Sequence, residues 1–318
     1  MTLRPFNPTT DYEPMVDMMN AAEPDYPYRY DVPRQRDAAR PAYCRHARYV
    51  AVEDGNIIAA GDYDQRPDMY HPHRFNLFIS VHPEWQKRGI AGMLYDHLLA
   101  EITPFQPEAI RAFANERHPE GIRFLQKRGH VEVMRDGGAY LDITTLDVTP
   151  FVEAEENLKT RGIRVASLAD LADDPERNAK IHDLVGEVMQ DIPPIGERTR
   201  VPLEQFVRSR LERPDTLMDG YFVAIAPDGT YVGLSEVRLA PNRREDTRGT
   251  GVTGVRRAYR REGIAYALKG RGLRYAKETG AIRVVTWNAS DNDAILTLNA
   301  RLGFVREPWR LHLLRTFG

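Results

Sequence analysis

The sequence has a single cysteine, Cys44, among its 318 residues. One cysteine cannot form a disulfide within the chain, so the fold depends on no oxidising compartment. The first ten residues, MTLRPFNPTT, lack the apolar core of a secretory signal peptide. No stretch approaches the roughly 20 consecutive apolar residues that a transmembrane helix requires. We therefore expect a cytoplasmic protein with no membrane partner.

An excess of charge of either sign is also missing. The 44 Lys and Arg residues and the 46 Asp and Glu residues give a net charge of −2. Such a balanced chain has no bulk electrostatic attraction to nucleic acid or to anionic lipid. We therefore expect no nucleic-acid partner.

The signatures of several enzyme classes are absent as well. The sequence contains no G-x-S-x-G motif, and Cys44 has no recognisable catalytic context, so nothing favours a hydrolase. His71 and His73 have no recognisable third ligand nearby, and we expect no metal site. The glycine-rich segment 249–254 is not followed directly by a helix, so we interpret it as strand and loop rather than as a dinucleotide-binding motif.

What the sequence does contain is a long internal repeat. The tripeptide Gly-Ile-Ala occurs at 89–91 and again at 263–265, an offset of 174 residues. The same offset relates further positions: Asp62 to Glu236, Val81 to Val255, and Gly129 to Gly303. A single hydrophobic core usually stops growing before 318 residues, so we interpret the repeat as a duplicated domain. We predict an N-terminal domain at 1–146, a helical linker at 147–161 and a C-terminal domain at 162–318.

Both halves have the same order of predicted elements. In each, two strands flank an Asp-Gly turn, a further strand follows, and a helix begins at the glycine of Gly-Ile-Ala. A later strand leads to a short helix that ends at a glycine. Strands followed by alternating helix and strand predict an α/β (α+β) fold, a mixed sheet flanked by helices.

The repeated motif stands between a strand and a helix, where an anion can bind. A helix N-terminus exposes unpaired N–H groups, and a glycine lets the backbone approach a phosphate closely. We therefore expect a pyrophosphate to bind at two equivalent segments. They are Gln86, Lys87, Arg88, Gly89, Ile90 and Ala91 in the first half, and Arg260, Arg261, Glu262, Gly263, Ile264 and Ala265 in the second.

The pattern (Gln/Arg)-x-x-Gly-x-(Gly/Ala), after a strand and opening a helix, resembles the acetyl-CoA signature of the GNAT superfamily of acetyltransferases. The tandem layout is similar to that of mycothiol synthase and related two-domain members. The resemblance implies that acetyl-CoA, or another acyl-CoA, is the cofactor. It also implies that Thr253, Gly254 and Val255 lie along the pantetheine arm, and that backbone N–H groups of Val81 and Val255 lie beside the thioester carbonyl. Asn292 resembles the asparagine that contacts the cofactor arm.

Acyl transfer to an amine needs a base, because a free amine has a pKa of roughly 10.4. Asp62 and Glu236 are the candidates, although each could instead lie on a solvated strand face. Asp191 and Glu197 lie in an acidic loop that could attract a cationic acceptor, although a polar surface loop is the commoner meaning. Many family members have a tyrosine that protonates the leaving thiolate. Leu125 and Asn299 occupy the corresponding positions, so we expect water to be the donor.

Three functions remain open at this point. The first is an N-acetyltransferase that acts on a small-molecule amine, the second is a protein or peptide acetyltransferase, and the third is a non-catalytic acyl-CoA-binding protein. We expect the second domain to be the better catalyst. The protein could be a monomer, as a pseudo-dimer of domains, or a homodimer.

Overall fold

The chain divides into two compact units. The computed structural model describes residues 1–24, 27–191, 201–240 and 245–317. Unit 1 comprises residues 1–135 and 310–318, and unit 2 comprises residues 136–309. Each unit is a mixed sheet flanked by helices, which confirms the predicted fold class.

In the described part of unit 1 the sheet has the order β1-β2-β3-β4-β5-β13, and β4 and β5 are its one parallel pair. Its strands are β1 (Thr2–Pro5), β2 (His46–Glu53), β3 (Asn56–Asp64), β4 (Arg74–Val81), β5 (Ala109–Asn115) and β13 (Arg310–Thr316). Its helices are α1 (Tyr12–Ala22), α2 (Asp31–Ala38), α3 (Ile90–Ile102) and α4 (Pro119–Gln126). Val50 packs with α1 while its neighbour Ala51 packs with α3, so these two helices cover opposite faces of the sheet.

Unit 2 repeats this arrangement with the order β7-β8-β9-β10-β11-β6, and among its described strands only β10 and β11 run parallel. Its strands are β6 (Val131–Asp142, which enters the unit at residue 136), β7 (Arg164–Ser167), β8 (Thr216–Ile225), β9 (Tyr231–Leu239), β10 (Thr247–Val255), β11 (Arg283–Ala289) and β12 (Val305–Arg306), which pairs with β6. Its helices are α5 (Thr149–Thr160), α6 (Arg177–Gln190), α7 (Leu203–Phe206), α8 (Ile264–Glu278) and α9 (Asp293–Arg301). A π-helical turn, Val207–Leu211, continues α7. Residues of β8 alternate between the two faces: Tyr221 and Val223 pack with α6, and Phe222 and Ala224 pack with α8.

The last strand of each repeat is exchanged. Strand β13, from the end of the second repeat, pairs with β5 of unit 1 over seven residues. Strand β6, from the end of the first repeat, pairs with β11 of unit 2, from Asp136 to Asp142. The predicted domains, 1–146 and 162–318, kept β6 with the first half and β13 with the second. The observed units differ, because most of β6 belongs to unit 2 and β13 belongs to unit 1. Duplicated sheets present equivalent edges, so sequence patterning does not indicate which edge a terminal strand joins.

The expected linker, 147–161, contains helix α5 and forms part of unit 2 rather than standing between two bodies. Phe151 packs so closely on α8 that a Cβ on Gly270 would lie 2.5 Å from the Phe151 ring. Helix α5 is therefore a structural layer of the second sheet.

Candidate active site

Each unit contains a gap where its two parallel strands separate. Strands β4 and β5 pair only from Arg74 to Leu77, although β4 continues to Val81. Strands β10 and β11 pair only from Thr247 to Gly249, although β10 continues to Val255. The carboxyl end of β4 therefore lies beside an open slot between β4 and β5, and that of β10 lies beside an open slot between β10 and β11. The loop after each strand and the start of the next helix, α3 or α8, also line the slot.

The two expected phosphate loops have the same backbone conformation. Gly89 and Gly263 are the N-caps of α3 and α8, both have a φ of 82°, and a Cβ on either would meet nothing within 4 Å. Lys87 and Arg261 have φ values of 61° and 64°, a region that non-glycine residues seldom adopt. Such strain, repeated at equivalent positions, is typical of functional loops. The loops therefore present helix N-termini with open space in front of the capping glycine.

The first side chain of each loop is used to hold the loop in place. Gln86 Nε2 donates to the carbonyl of Val81 at 3.1 Å, and Arg260 Nε donates to the carbonyl of Val255 at 3.0 Å. These equivalent hydrogen bonds tie the loop to the end of the preceding strand. Gln86 and Arg260, which sequence reasoning expected to donate to a phosphate, thus each use one donor in a hydrogen bond to the backbone.

Other residues of the motif also have structural contacts. Arg88 stacks on the ring of Trp85 at 4.7 Å, and Glu262 forms an ion pair with Arg161. Ile90 and Ile264 are buried in the core, where they anchor the first turn of each helix. The remaining motif residues line the cavities described below: Gln86, Lys87, Gly89 and Ala91 in unit 1, and Arg260, Arg261, Gly263 and Ala265 in unit 2.

A β-bulge in β10 positions Glu236. Thr250 pairs with Val237 and Thr253 pairs with Ser235, so two residues, Gly251 and Val252, lie opposite Glu236 alone. A Cβ on Gly251 would lie 1.8 Å from Glu236 Oε2, so only glycine leaves room for the carboxylate. The glycine-rich segment that we interpreted as strand and loop is a bulged strand.

Glu236 is 4% exposed and lies in a polar setting within the cavity wall. Arg210, from the π-helical turn, reaches its Oε2 from Nη2 at 3.4 Å. The interpretation of Glu236 as a solvated strand residue is therefore wrong. A buried carboxylate held by an arginine beside an open slot has the placement that a base for an incoming amine requires.

Asp62, the equivalent residue of unit 1, has a different setting. Strand β4 has no bulge there, and Asp62 pairs directly with Phe78. Its Oδ2 accepts from Arg48 Nε at 3.1 Å, and Arg48 also binds Asp37 at 2.7 Å. Asp62 is buried in this ion-pair network and does not line the unit 1 cavity. The structure does not bring Asp62 together with the phosphate loop as it does Glu236.

Asp191 lines the unit 2 cavity and lies against the phosphate loop. It forms ion pairs with Arg257 and Arg260. Hydrogen bonds, from Arg257 first and Arg260 second, lower the pKa of Asp191 to about 2. Its charge is therefore already matched by two guanidinium groups. Glu197, the other expected acceptor residue, lies outside the described residues.

The two cavities differ in size and in lining. The cavity of unit 2 has a volume of about 970 Å³ and runs from the phosphate loop at Gly263 along Thr253–Val255 to Glu236. The cavity of unit 1 has a volume of about 420 Å³ and includes Val81 but not Asp62. Only the larger cavity combines a phosphate loop with a carboxylate at the bulge position.

Comparison with known proteins decides the family. A sequence profile of the Acetyltransferase (GNAT) family matches residues 15–130 and 187–304, which together make up most of the chain. The chain belongs to the GNAT acetyltransferase family. A search of curated proteins finds no match.

Solved structures show the same tandem fold. A GCN5-related N-acetyltransferase from Sphaerobacter thermophilus is 17% identical with a TM-score of 0.73, and the match covers 99% of this chain and 95% of that one. A tandem GNAT protein from the clavulanic acid biosynthesis pathway is 17% identical with a TM-score of 0.72, covering 100% of this chain and 98% of that one. These likenesses support the fold, and the family match makes this GNAT protein an acetyltransferase.

Asn292, which the GNAT resemblance places at the cofactor arm, lines the unit 2 cavity. It is also the N-cap of α9, where its side chain accepts from the N–H of Ile295 at 3.4 Å. Within the described residues, no group of three His, Cys, Asp or Glu side chains could hold a metal ion. No helix in that part of the chain is long and apolar enough to cross a membrane.

Sequence reasoning missed Arg210 and Arg213, which line the cavity, and it also missed a third charged lining residue, Lys269. It is only 2% exposed and lies within an otherwise apolar run on α8, next to Leu268. Lys269 Nζ donates to Asn299 Oδ1 at 2.5 Å, and Asn299 occupies the position of the expected tyrosine. The sequence did contain a signal for Lys269, because a lysine on the face of a helix that packs against the core is unusual and points to a functional role.

Proposed function

We propose that unit 2 transfers an acetyl group from acetyl-CoA directly to the amine of a small molecule. The observation that carries this proposal is the continuous cavity that joins the Gly263 loop to the buried carboxylate of Glu236. A volume of about 970 Å³ lies at the upper end of the range for small-molecule sites. Phe206 and Arg210 line the same cavity as Glu236.

In this proposal the loop binds the cofactor and fixes its orientation. The backbone N–H groups at the start of α8 and the side chain of Arg261 receive the pyrophosphate. The pantetheine arm lies along Thr253–Val255, in the slot that β11 leaves open. The backbone N–H of Val255 is the proposed donor to the thioester oxygen.

Glu236 takes the proton of the attacking amine, directly or through a water molecule. The carboxylate is anchored by Arg210 at 3.4 Å, in the space that Gly251 leaves open. Positioning of this kind lowers the entropic part of the barrier as well as the proton-transfer part.

We further propose that unit 1 binds CoA without catalysing transfer. Its loop has the same conformation, but Asp62 is held by Arg48 and is absent from the lining of the smaller cavity. The sequence left open a non-catalytic acyl-CoA-binding function for the whole protein, and this proposal limits that function to unit 1.

A mixed panel of small amines and peptides, incubated with acetyl-CoA, tests the proposal. Mass spectrometry should detect acetylated small amines, together with stoichiometric release of CoA. Acetylation confined to peptides would favour a protein acetyltransferase instead. Tight CoA binding in calorimetry without any acetylated product would indicate that both units only bind the cofactor.

A further inference from the structure

Lys269 is an ammonium group in a largely apolar setting. It is 2% exposed, and burial alone lowers its pKa to about 7. In the described part of the chain its recorded hydrogen bond goes to an amide, that of Asn299, and not to a carboxylate. A buried cation without a counter-ion costs stability. The ammonium also lies 5.1 Å from the centroid of the Phe304 ring, a cation–π contact that offsets part of this cost.

The surroundings of Lys269 form a chain of polar side chains at the edge of the cavity. Asn299 accepts from Lys269 and donates from Nδ2 to Asn288 Oδ1 at 2.8 Å. Lys269 and Asn288 both line the cavity. An ammonium has three N–H groups, and the hydrogen bond to Asn299 uses one of them. N–H groups therefore remain for a ligand in the slot.

Lys269 and Glu236 approach the slot from opposite faces of the sheet. Val237 packs against α8, since a Cβ on Gly272 would lie 2.8 Å from Val237 Cγ2. Side chains alternate along a strand, so Glu236 faces the other side, where Tyr221 and α6 lie. A base on one face and a cation on the other suit a reaction in which a nucleophile enters from one side and a leaving group departs on the other.

We propose that Lys269 protonates the thiolate that leaves during acyl transfer, an inference that rests on the proposed function of unit 2. Glu236 takes one proton from the bound ammonium, and the free amine nitrogen then forms a bond to the acyl carbon and releases its second proton to solvent. The carbon–sulfur bond breaks, its electron pair stays on sulfur, and sulfur takes one proton from Lys269 Nζ. Lys269 regains a proton from solvent, Glu236 releases one, and the products are the amide and the free thiol.

A lysine in this environment is suited to the transfer. A thiol has a pKa of roughly 8.5, above the value of about 7 for Lys269. The proton therefore moves downhill from Lys269 to the thiolate. About half of Lys269 is still protonated at neutral pH, which is the condition for an effective acid catalyst.

The repeat supplies a matched control. The residue of unit 1 at the offset of 174 is Tyr95, whose hydroxyl bonds to His130 Nε2 at 2.9 Å. Tyr95 does not line the unit 1 cavity. The variant Tyr95→Phe thus removes a buried polar group at the equivalent position without touching the proposed catalytic unit.

The first test is independent of turnover and compares the binding of CoA with that of desulfo-CoA. In the Gly89→Glu background, calorimetry should show that the affinity ratio of the two ligands changes severalfold between about pH 6 and 8, around the Lys269 pKa of about 7. The ratio should stay flat in Lys269→Met and remain wild-type in Tyr95→Phe. A flat ratio in the parent protein would overturn the role of Lys269. Failure to bind either ligand would instead contradict the proposed function.

The second test separates catalysis from binding. Lys269→Met should lower kcat about 10²-fold, the lower end of general-acid help, because a thiolate already leaves readily. The KM for acetyl-CoA should change less than about threefold, since the pyrophosphate loop is intact. Lys269→Arg should not restore kcat, because a guanidinium holds its proton too tightly to donate it. Met fills a similar volume without a charge, so the fold should survive. A kcat above half the wild-type value in Lys269→Met would refute the proposal.

Discussion

Replacing Glu236 with glutamine removes basicity while leaving the shape of the site in place. Glu236 is 4% exposed, and the amide oxygen of a glutamine can still accept from Arg210, which lies at 3.4 Å in the native protein. Gly251 leaves the same space for either side chain. The variant should therefore fold normally and bind acetyl-CoA with wild-type affinity.

The expected loss of rate follows from the ionisation of the acceptor. An amine with a pKa of roughly 10.4 is about one part in a thousand unprotonated near pH 7.4, so a base at Glu236 contributes up to about 10³-fold. This value lies within the usual range of about 10²–10⁴ for general-base catalysis. The ratio of the wild-type rate to the Glu236→Gln rate should fall about tenfold for each unit of pH increase, because more of the amine is then unprotonated and reacts without a base.

The assay is the initial rate of CoA release as a function of pH, at saturating acetyl-CoA and with the acceptor found in the panel. Expressing the result as the ratio of wild type to Glu236→Gln cancels other titrations that the two proteins share. Asp62→Asn is the matched control and should leave the rate unchanged, because Asp62 pairs with Arg48 outside the cavity. A pH-independent ratio near 1 would refute the role of Glu236.

Two further outcomes follow from the structure. Gly251→Ala should lower kcat about 10²-fold with little loss of stability, because the new Cβ displaces the flexible carboxyl end of Glu236, and a melting curve beside the rate assay checks both. The pKa of His130 is lowered by burial to about 4, below the unfolded value of roughly 6.5, so the unfolded state binds more protons between these values and stability falls as pH drops through this window. Urea unfolding from pH 7 to 4.5 should show a shallower loss in His130→Gln, and equal slopes in both proteins would contradict this assignment.

The sequence was sufficient to predict the repeat, the mixed sheet and the two loops. These features depend on local patterns, such as glycines at positive φ and the alternation of strand residues, which one chain displays twice. The equivalent hydrogen bonds of Gln86 and Arg260 show how closely the duplicated loops agree.

The exchange of β6 and β13 could not be predicted in the same way. Both sheets offer an equivalent edge strand, and the choice between them depends on tertiary packing that no local pattern records. One practical consequence is that cutting the chain between 146 and 162 would remove a strand from each sheet. Point substitutions within the whole chain are therefore the appropriate test of the two units.

The roles of charged residues depended on neighbours distant in sequence. Asp191 lines the unit 2 cavity, and sequence patterning did not indicate that Arg257 and Arg260 form ion pairs with it. Asp62 and Glu236 looked equivalent, but the bulge at Gly251 and the ion pair with Arg48 give them different environments. Hydrophobic periodicity in the sequence predicts which residues lie on the same face of a helix or strand. It does not predict which charged side chains form ion pairs with residues distant in sequence.

The central claim is that the acetyl-CoA used in catalysis binds at the loop containing Gly263 and not at the loop containing Gly89. The decisive measurement is the rate of amine acetylation by Gly263→Glu and by Gly89→Glu, with cofactor binding followed by calorimetry. Neither new side chain meets protein atoms at its Cβ, so both variants should fold, with at most about 1–2 kcal/mol of backbone strain. The account predicts that Gly263→Glu abolishes acetylation and one binding event, whereas Gly89→Glu leaves acetylation intact. Full activity in Gly263→Glu together with loss of activity in Gly89→Glu would contradict it.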